Sequence, residues 1–161
     1  MAFPSAGIMT TAEPIAVGYA IPPLTINSVD PARMKTMAAI LRDPYPLHWD
    51  RKINELIGLG NRVVNQGPLN VGYVANMLMA WAGPDSIKRL TLSFGNPVFD
   101  GDCVVAHGVV TALDTSGTDA FATCDIWLER AGEHVVTGVA VVRLNSHLLL
   151  SVADNPNHLP T

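Results

Sequence analysis

The sequence predicts an α+β fold in which one long buried helix is wrapped by an antiparallel sheet. Three observations carry this expectation. Leu69 to Trp81 leaves almost no polar face and bears no charge, the mark of a helix enclosed by other elements. Four runs rich in Val, Ile and Thr follow it, at 87–94, 102–113, 120–129 and 134–144. The dipeptides Asp100-Gly101, Ser116-Gly117 and Ala131-Gly132 separate the later runs at hairpin spacing, which predicts antiparallel pairing. A sheet curled around the helix buries both, and one helix face is left for a second subunit to cover.

The remaining elements follow in order. Residues 1–16 are small, polar and proline-containing, and read as a loose or partner-dependent tail. Val17 to Ile26 reads as extended, and Pro22-Pro23 confines it to an edge. Asp30-Pro31 is N-cap and N1 chemistry. It opens a helix expected to run to Leu41, with Met34, Met37, Ile40 and Leu41 on its apolar side. Pro44 and Pro46 stop that helix and stiffen the loop from Asp43 to Asp50. A second short helix is expected from Asp50 to about Leu59, ended by Gly58 and Gly60. Gly67-Pro68 and Gly83-Pro84 bracket the buried helix. Residues 17–145 thus form one domain, and 146–161 a polar C-terminal tail.

Of the 161 residues, 48% are hydrophobic and 15% charged, with a net charge of −4. This is a globular composition, apolar enough to suggest that part of the surface meets another subunit. No basic run or zinc-finger spacing is present, so nucleic-acid binding is not expected. No apolar segment reaches the ~20 residues of a membrane span, and the first residues carry no leader-peptide pattern. A cytoplasmic protein is the expectation. Cys103 and Cys124 read as buried free thiols in strands. No spacing suits a metal.

The string Arg42-Asp43-Pro44-Tyr45-Pro46-Leu47-His48-Trp49-Asp50 resembles the signature of the MaoC-like (R)-specific enoyl-CoA hydratases and dehydratases. That signature has an Asp, a His five positions on, a Pro two before the His and an Asp two after it. Phe94-Gly95-Asn96-Pro97-Val98-Phe99-Asp100-Gly101-Asp102 is similar to the segment that follows the central helix in that family. The likeness covers about residues 17–145. It implies a hot-dog fold and an acyl-CoA thioester substrate, with no further cofactor. It also implies a homodimer, or a hetero-oligomer with a second MaoC-like subunit, and Asp43 and His48 as the pair that holds and activates water. One departure stands out: the family commonly has a His where this chain has Gln66. Variant helix starts, and an end like Trp81-Ala82-Gly83-Pro84, resemble subunits that act on bulky acyl-CoAs, including steroid side chains, beside a second MaoC-like chain.

Elementary chemistry agrees with the resemblance. Hydrating a 2-enoyl thioester adds hydroxide at C3 and a proton at C2, so one group must take a proton and one must return it. A carboxylate and an imidazole sharing one water can do both. Charge then builds on the thioester oxygen. The backbone amide of Gly67 or a neighbour, at the positive end of the buried helix, is the candidate donor, and Gln66, Gly67 and Pro68 are the candidate oxyanion and substrate-binding residues. Lys88 and Arg89 are candidate contacts to CoA phosphates, with a solvated strand end as the alternative. Asp50 reads as an N-cap and Asp100 and Asp102 as turn residues. His107, His134, His147 and His158 read as structural or solvated. Two other functions stay open. A hot-dog thioesterase would carry a carboxylate on or just before the central helix, and 66–81 contains none. A partner subunit would bind the acyl chain and complete another chain's site.

Overall fold

The computed structural model describes residues 14–145 and Leu148. The chain runs β1 (Ala20–Ile26), α1 (Pro31–Leu41), a 3-10 turn at Pro46–His48, α2 (Arg51–Leu56), α3 (Gly67–Ala82), β2 (Ile87–Phe94), β3 (Val104–Asp114), β4 (Phe121–Arg130) and β5 (Glu133–Arg143). The strands form one 5-stranded sheet in the order β1-β3-β4-β5-β2, antiparallel throughout. The sheet folds around α3, and Val74, Met77 and Leu78 of the helix pack against Ala106, Val110, Ile126, Leu128, Val136 and Ala140 in one core. This is the hot-dog arrangement, with the helix as filling. Among the described residues no helix is long and apolar enough to cross a membrane.

Local chemistry sets the ends of each element. Asp30 caps α1 by accepting from the Ala32 amide at 2.8 Å, with Pro31 just inside. Asp50 caps α2 through the Lys52 and Ile53 amides. Gly83, at φ 102°, ends α3. Pro22 and Pro23 sit on an edge strand, where the pairing of β1 with β3 shifts register between Ile21 and Leu24.

Several expectations need correction. Asp100-Gly101 is not a hairpin turn between neighbouring strands, because β2 pairs with β5 at the sheet's far edge. Pro97 has no N–H with which to continue a ladder. The Asp100 and Gly101 amides turn instead to the Val63 and Val29 carbonyls, at 2.9 Å each. Ile40 and Leu41 do not join the core; they are exposed, and Met34 is the one buried residue of α1. Met37 is half-buried, and the apolar stripe faces outward only in the last turn, at Ile40 and Leu41. Cys103 is exposed, just before β3, while Cys124 is buried and free; burial, with Asp125 nearby, pushes the Cys124 thiol up to about 12.

The expected tails fall mostly outside the described residues, as do His147 and His158. Ile15, within the expected N-terminal tail, is packed into the core. His107 and His134 flank Trp127 across three strands, with ring centroids 5.3 Å from it on both sides. The face of α3 bearing Pro68, Asn76 and Ala80 is exposed.

Candidate active site

The site is built on the loop between α1 and α2 and on the strand-like segment that leads into α3. α1 ends when Arg42 takes a left-handed conformation, with φ 52°. The next amide, that of Asp43, donates to the Ala38 carbonyl at 2.9 Å. The Asp43 carboxylate then folds over its own turn, with Oδ1 accepting from the Tyr45 amide at 3.0 Å. Oδ2 is left facing His48, 3.7 Å from Nε2.

His48 enters from the 3-10 turn started by Pro46. Its Nδ1 lies 2.7 Å from the Val64 carbonyl. A carbonyl can only accept, so Nδ1 carries the proton and neutral His48 presents a bare lone pair at Nε2. The 3.7 Å gap to Asp43 is too long for a direct bond and suits one water bonded to both. The imidazole side chain is 13% exposed and the carboxylate 32%. The ring is thus mostly enclosed, while the carboxylate is partly exposed.

The loop is fastened from beneath. Asn54, fully buried, donates to the Leu47 and Arg62 carbonyls at 2.8 and 2.7 Å. The Val64 amide donates to the Leu47 carbonyl at 3.0 Å, and the Asn65 amide to the Val98 carbonyl at 2.7 Å. Asp100 accepts from Arg51 at 2.6 Å and from the Val63 amide at 2.7 Å. Asp102 accepts from the Phe99 amide at 2.9 Å and from Arg62 at 2.5 Å, and Arg130 lies 3.4 Å away. Asp100 and Asp102, expected to be plain turn residues, therefore clamp the β2–β3 crossover to the segment that orients His48.

Burial raises the affinity of Asp102 for its proton. The Phe99 amide and the Arg62 and Arg130 guanidiniums outweigh that effect and hold the carboxyl below its ordinary range. A carboxyl depressed on folding stabilises the protein above the unfolded pKa, and that stability is lost as pH falls through the folded value. Asp102→Asn is therefore expected to lower neutral-pH stability by roughly 1.5–3 kcal/mol. The difference from wild type should shrink on acidification below about pH 4. Urea titrations at pH 7 and pH 3.5 check this; an equal loss at both would contradict it.

Gly67 opens α3, three residues on from Val64, so its amide lies within about 10 Å of the His48 anchor. In the first turn Pro68 has no N–H, and the Leu69 and Asn70 amides both donate to the Gln66 carbonyl. Among the described residues the Gly67 N–H has no acceptor, so it is the available donor at the positive end of the helix. A β-carbon at Gly67 would stand 3.5 Å from the Phe94 ring, so Phe94 walls this spot. Gln66 is buried, and its side chain donates to the Met34 carbonyl at 2.9 Å. Pro68 is exposed and contributes its ring geometry.

Lys88 and Arg89 are not brought to this place. Both are exposed at the start of β2, roughly 16–20 Å along the strand from Phe94, and Lys88 donates to the Asp85 carbonyl at 2.9 Å. A groove of about 470 Å³ opens beside His48, walled by Pro31, Lys35, Trp49, Lys52 and Val63 among others. Two further cavities, about 540 and 620 Å³, lie at the C-terminal end of α3 and beside Arg130. No cluster of metal-ligating side chains occurs among the described residues.

Sequence reasoning missed the Val64 carbonyl, Asn54 and Phe94. The first acts through its backbone, which no side-chain pattern reveals. Asn54 carried a weak signal, as an amide in an otherwise short amphipathic run. Phe94 read as an ordinary strand residue.

Comparison with known proteins agrees with this fold. A family model described as the MaoC-like domain matches residues 12–123. An (R)-hydratase from A. caviae involved in PHA biosynthesis is 31% identical, covering 83% of this chain and 100% of that one, with a TM-score of 0.73. The ChsH1-ChsH2 complex from Mycobacterium tuberculosis matches at 25% identity over 81% of this chain and 98% of that one, with a TM-score of 0.69. The (R)-hydratase PhaJ1 from Pseudomonas aeruginosa, at 22% identity, covers 81% of this chain and 82% of that one with a TM-score of 0.70, and speaks to the fold. A search of curated proteins finds no match. With its Asp–His loop, its enclosed helix and a family match over most of its length, the chain belongs to the MaoC-like dehydratase family, and its fold is the hot dog.

Proposed function

We propose that this protein adds water across the double bond of a 2-enoyl thioester, or removes it in reverse, with Asp43 and His48 holding and activating the water. The observation that carries this is the anchoring of His48: with Nδ1–H committed to the Val64 carbonyl, the neutral ring has its acceptor at Nε2. A water between Nε2 and Asp43 Oδ2 gives one O–H to each, and its lone pair is turned to C3. As the C3–O bond forms, His48 Nε2 takes a proton from the water, and the resulting imidazolium returns it to C2 on the same side. Asp43 orients the water and stabilises the transient imidazolium. The free Gly67 amide meets the charge on the thioester oxygen, a donor typically worth about 10²–10³ in rate. The (R)-hydratase relative supports this reaction class.

The carrier is proposed to be coenzyme A. Lys35 and Lys52, beside the His48 groove, make no salt bridge among the described residues. Lys88 and Arg89, farther along β2, are the other candidates for its phosphates. A partner subunit is the second element of the proposal. Tyr45 and Trp49, flanking the catalytic loop, and Ile53 and Leu56 of α2 are exposed, and a neighbouring structure is a complex of two different chains. Bulky acyl groups, including steroid side chains, remain within this reading.

The test is a spectrophotometric assay of the purified chain on 2-enoyl-CoAs of increasing acyl size, with free thiol followed in parallel. Loss of the enoyl chromophore without thiol release is the expected result. Thiol release instead would establish a thioesterase. No turnover alone, but turnover on mixing with a second MaoC-like chain, would establish the half-site subunit.

A further inference from the structure

We propose that Gln66 is a positioning residue, which sets Asp43 relative to His48 and to the Gly67 amide without itself touching substrate. This rests on the hydratase reading above. Gln66 is 1% exposed, and its side chain does not cap α3. It crosses to α1, where its Nε2 donates to the Met34 carbonyl at 2.9 Å. α1 has little else to hold it, since Met34 is its one buried residue. One helical turn beyond Met34, the Ala38 carbonyl receives the Asp43 amide. A continuous path therefore runs from the start of α3, through the Gln66 amide and the last turns of α1, to the Asp43 backbone.

His48 is held from the same place by a different bond, through the Val64 carbonyl. The four residues Val64–Gly67 thus align all three parts: His48 directly, Asp43 through Gln66 and Met34, and the oxyanion donor in line. The bond is a poor candidate for a stability device. Its loss would leave the Met34 carbonyl with its helical partner, the Ala38 amide, and would also remove the Gln66 Oε1, a buried acceptor with no partner among the described residues. Turnover and stability are expected to part company here.

Gln66→Met keeps the length and volume and removes the donor. Gln66→His restores an N–H. For Gln66→Met we expect kcat to fall about 10–100-fold with KM changed less than threefold and the thermal midpoint almost unmoved. Exchange of the Asp43 amide should quicken, and Gln66→His should recover most of kcat. Unchanged kcat in Gln66→Met overturns the proposal. So does a loss of kcat that follows a loss of folded protein, or a Gln66→His variant as slow as Gln66→Met. If the wild-type chain hydrates no enoyl thioester, either alone or mixed with a second MaoC-like chain, the functional reading fails. Exchange at Asp43 then decides the positioning role by itself: quickened exchange supports it and unchanged exchange overturns it.

Discussion

Replacing His48 by alanine is expected to slow hydration of a 2-enoyl-CoA by about 10²–10⁴-fold, the usual worth of a positioned acid–base group, while the protein stays folded. The His48 side chain makes one strong bond, to the Val64 carbonyl. That segment is held independently by the Leu47 carbonyl and by Asp100. Removing the ring therefore costs the site its proposed base without releasing the frame around it. Asp43→Asn should be damaging through a different route. The amide can still orient a water, but it cannot stabilise the imidazolium, and its NH₂ turned toward Nε2 would compete with the water for that lone pair. Both variants should keep the wild-type far-ultraviolet spectrum. KM should move little, because neither group grips the carrier. Initial rates at saturating substrate check this.

The largest expected effect on stability lies in the helix that the sheet encloses. Leu78 is fully buried at the centre of the contact between α3 and the sheet. Leu78→Ala removes its methyl groups and leaves a cavity that neighbouring side chains fill only in part. The expected loss is about 2–5 kcal/mol, or roughly 4–20 °C in thermal midpoint. Ala80→Leu, on the exposed face of the same helix, is the informative counterpart. In a lone chain it should be nearly neutral; in an assembled dimer that uses this face it should weaken association. Calorimetry and sedimentation read the two effects separately.

The general architecture was open to reading because it follows from pattern. An uncharged helix of that length must be enclosed, and Val- and Ile-rich runs after it have one way to enclose it. The Asp43–His48 loop was legible for a similar reason: prolines at 44 and 46 leave that stretch few conformations. The sheet order was not. Asp100-Gly101 has the chemistry of a hairpin turn, and only Pro97 hints that the chain leaves β2 without pairing onward. The fate of Ile40 and Leu41 was also hidden, since helical periodicity tells which residues share a side and not what that side meets. The frame behind the site was least visible of all. The carbonyls of Val64 and Met34 carry no side-chain signature, and the acceptors Asp100 and Asp102 look in sequence like any turn carboxylates. Geometry alone reveals that they fasten the segment that fixes a histidine tautomer.

The central claim is that Asp43 and His48 act as one unit on one water. The double-mutant cycle of Asp43→Asn and His48→Ala, read in kcat/KM on a 2-enoyl-CoA, tests it most directly. Groups that share a proton-transfer step lose their function together, so the double variant should be no slower than the worse single variant within about threefold. Losses that multiply, each substitution costing its full factor in the presence of the other, would mean that the two side chains work separately and would contradict the account.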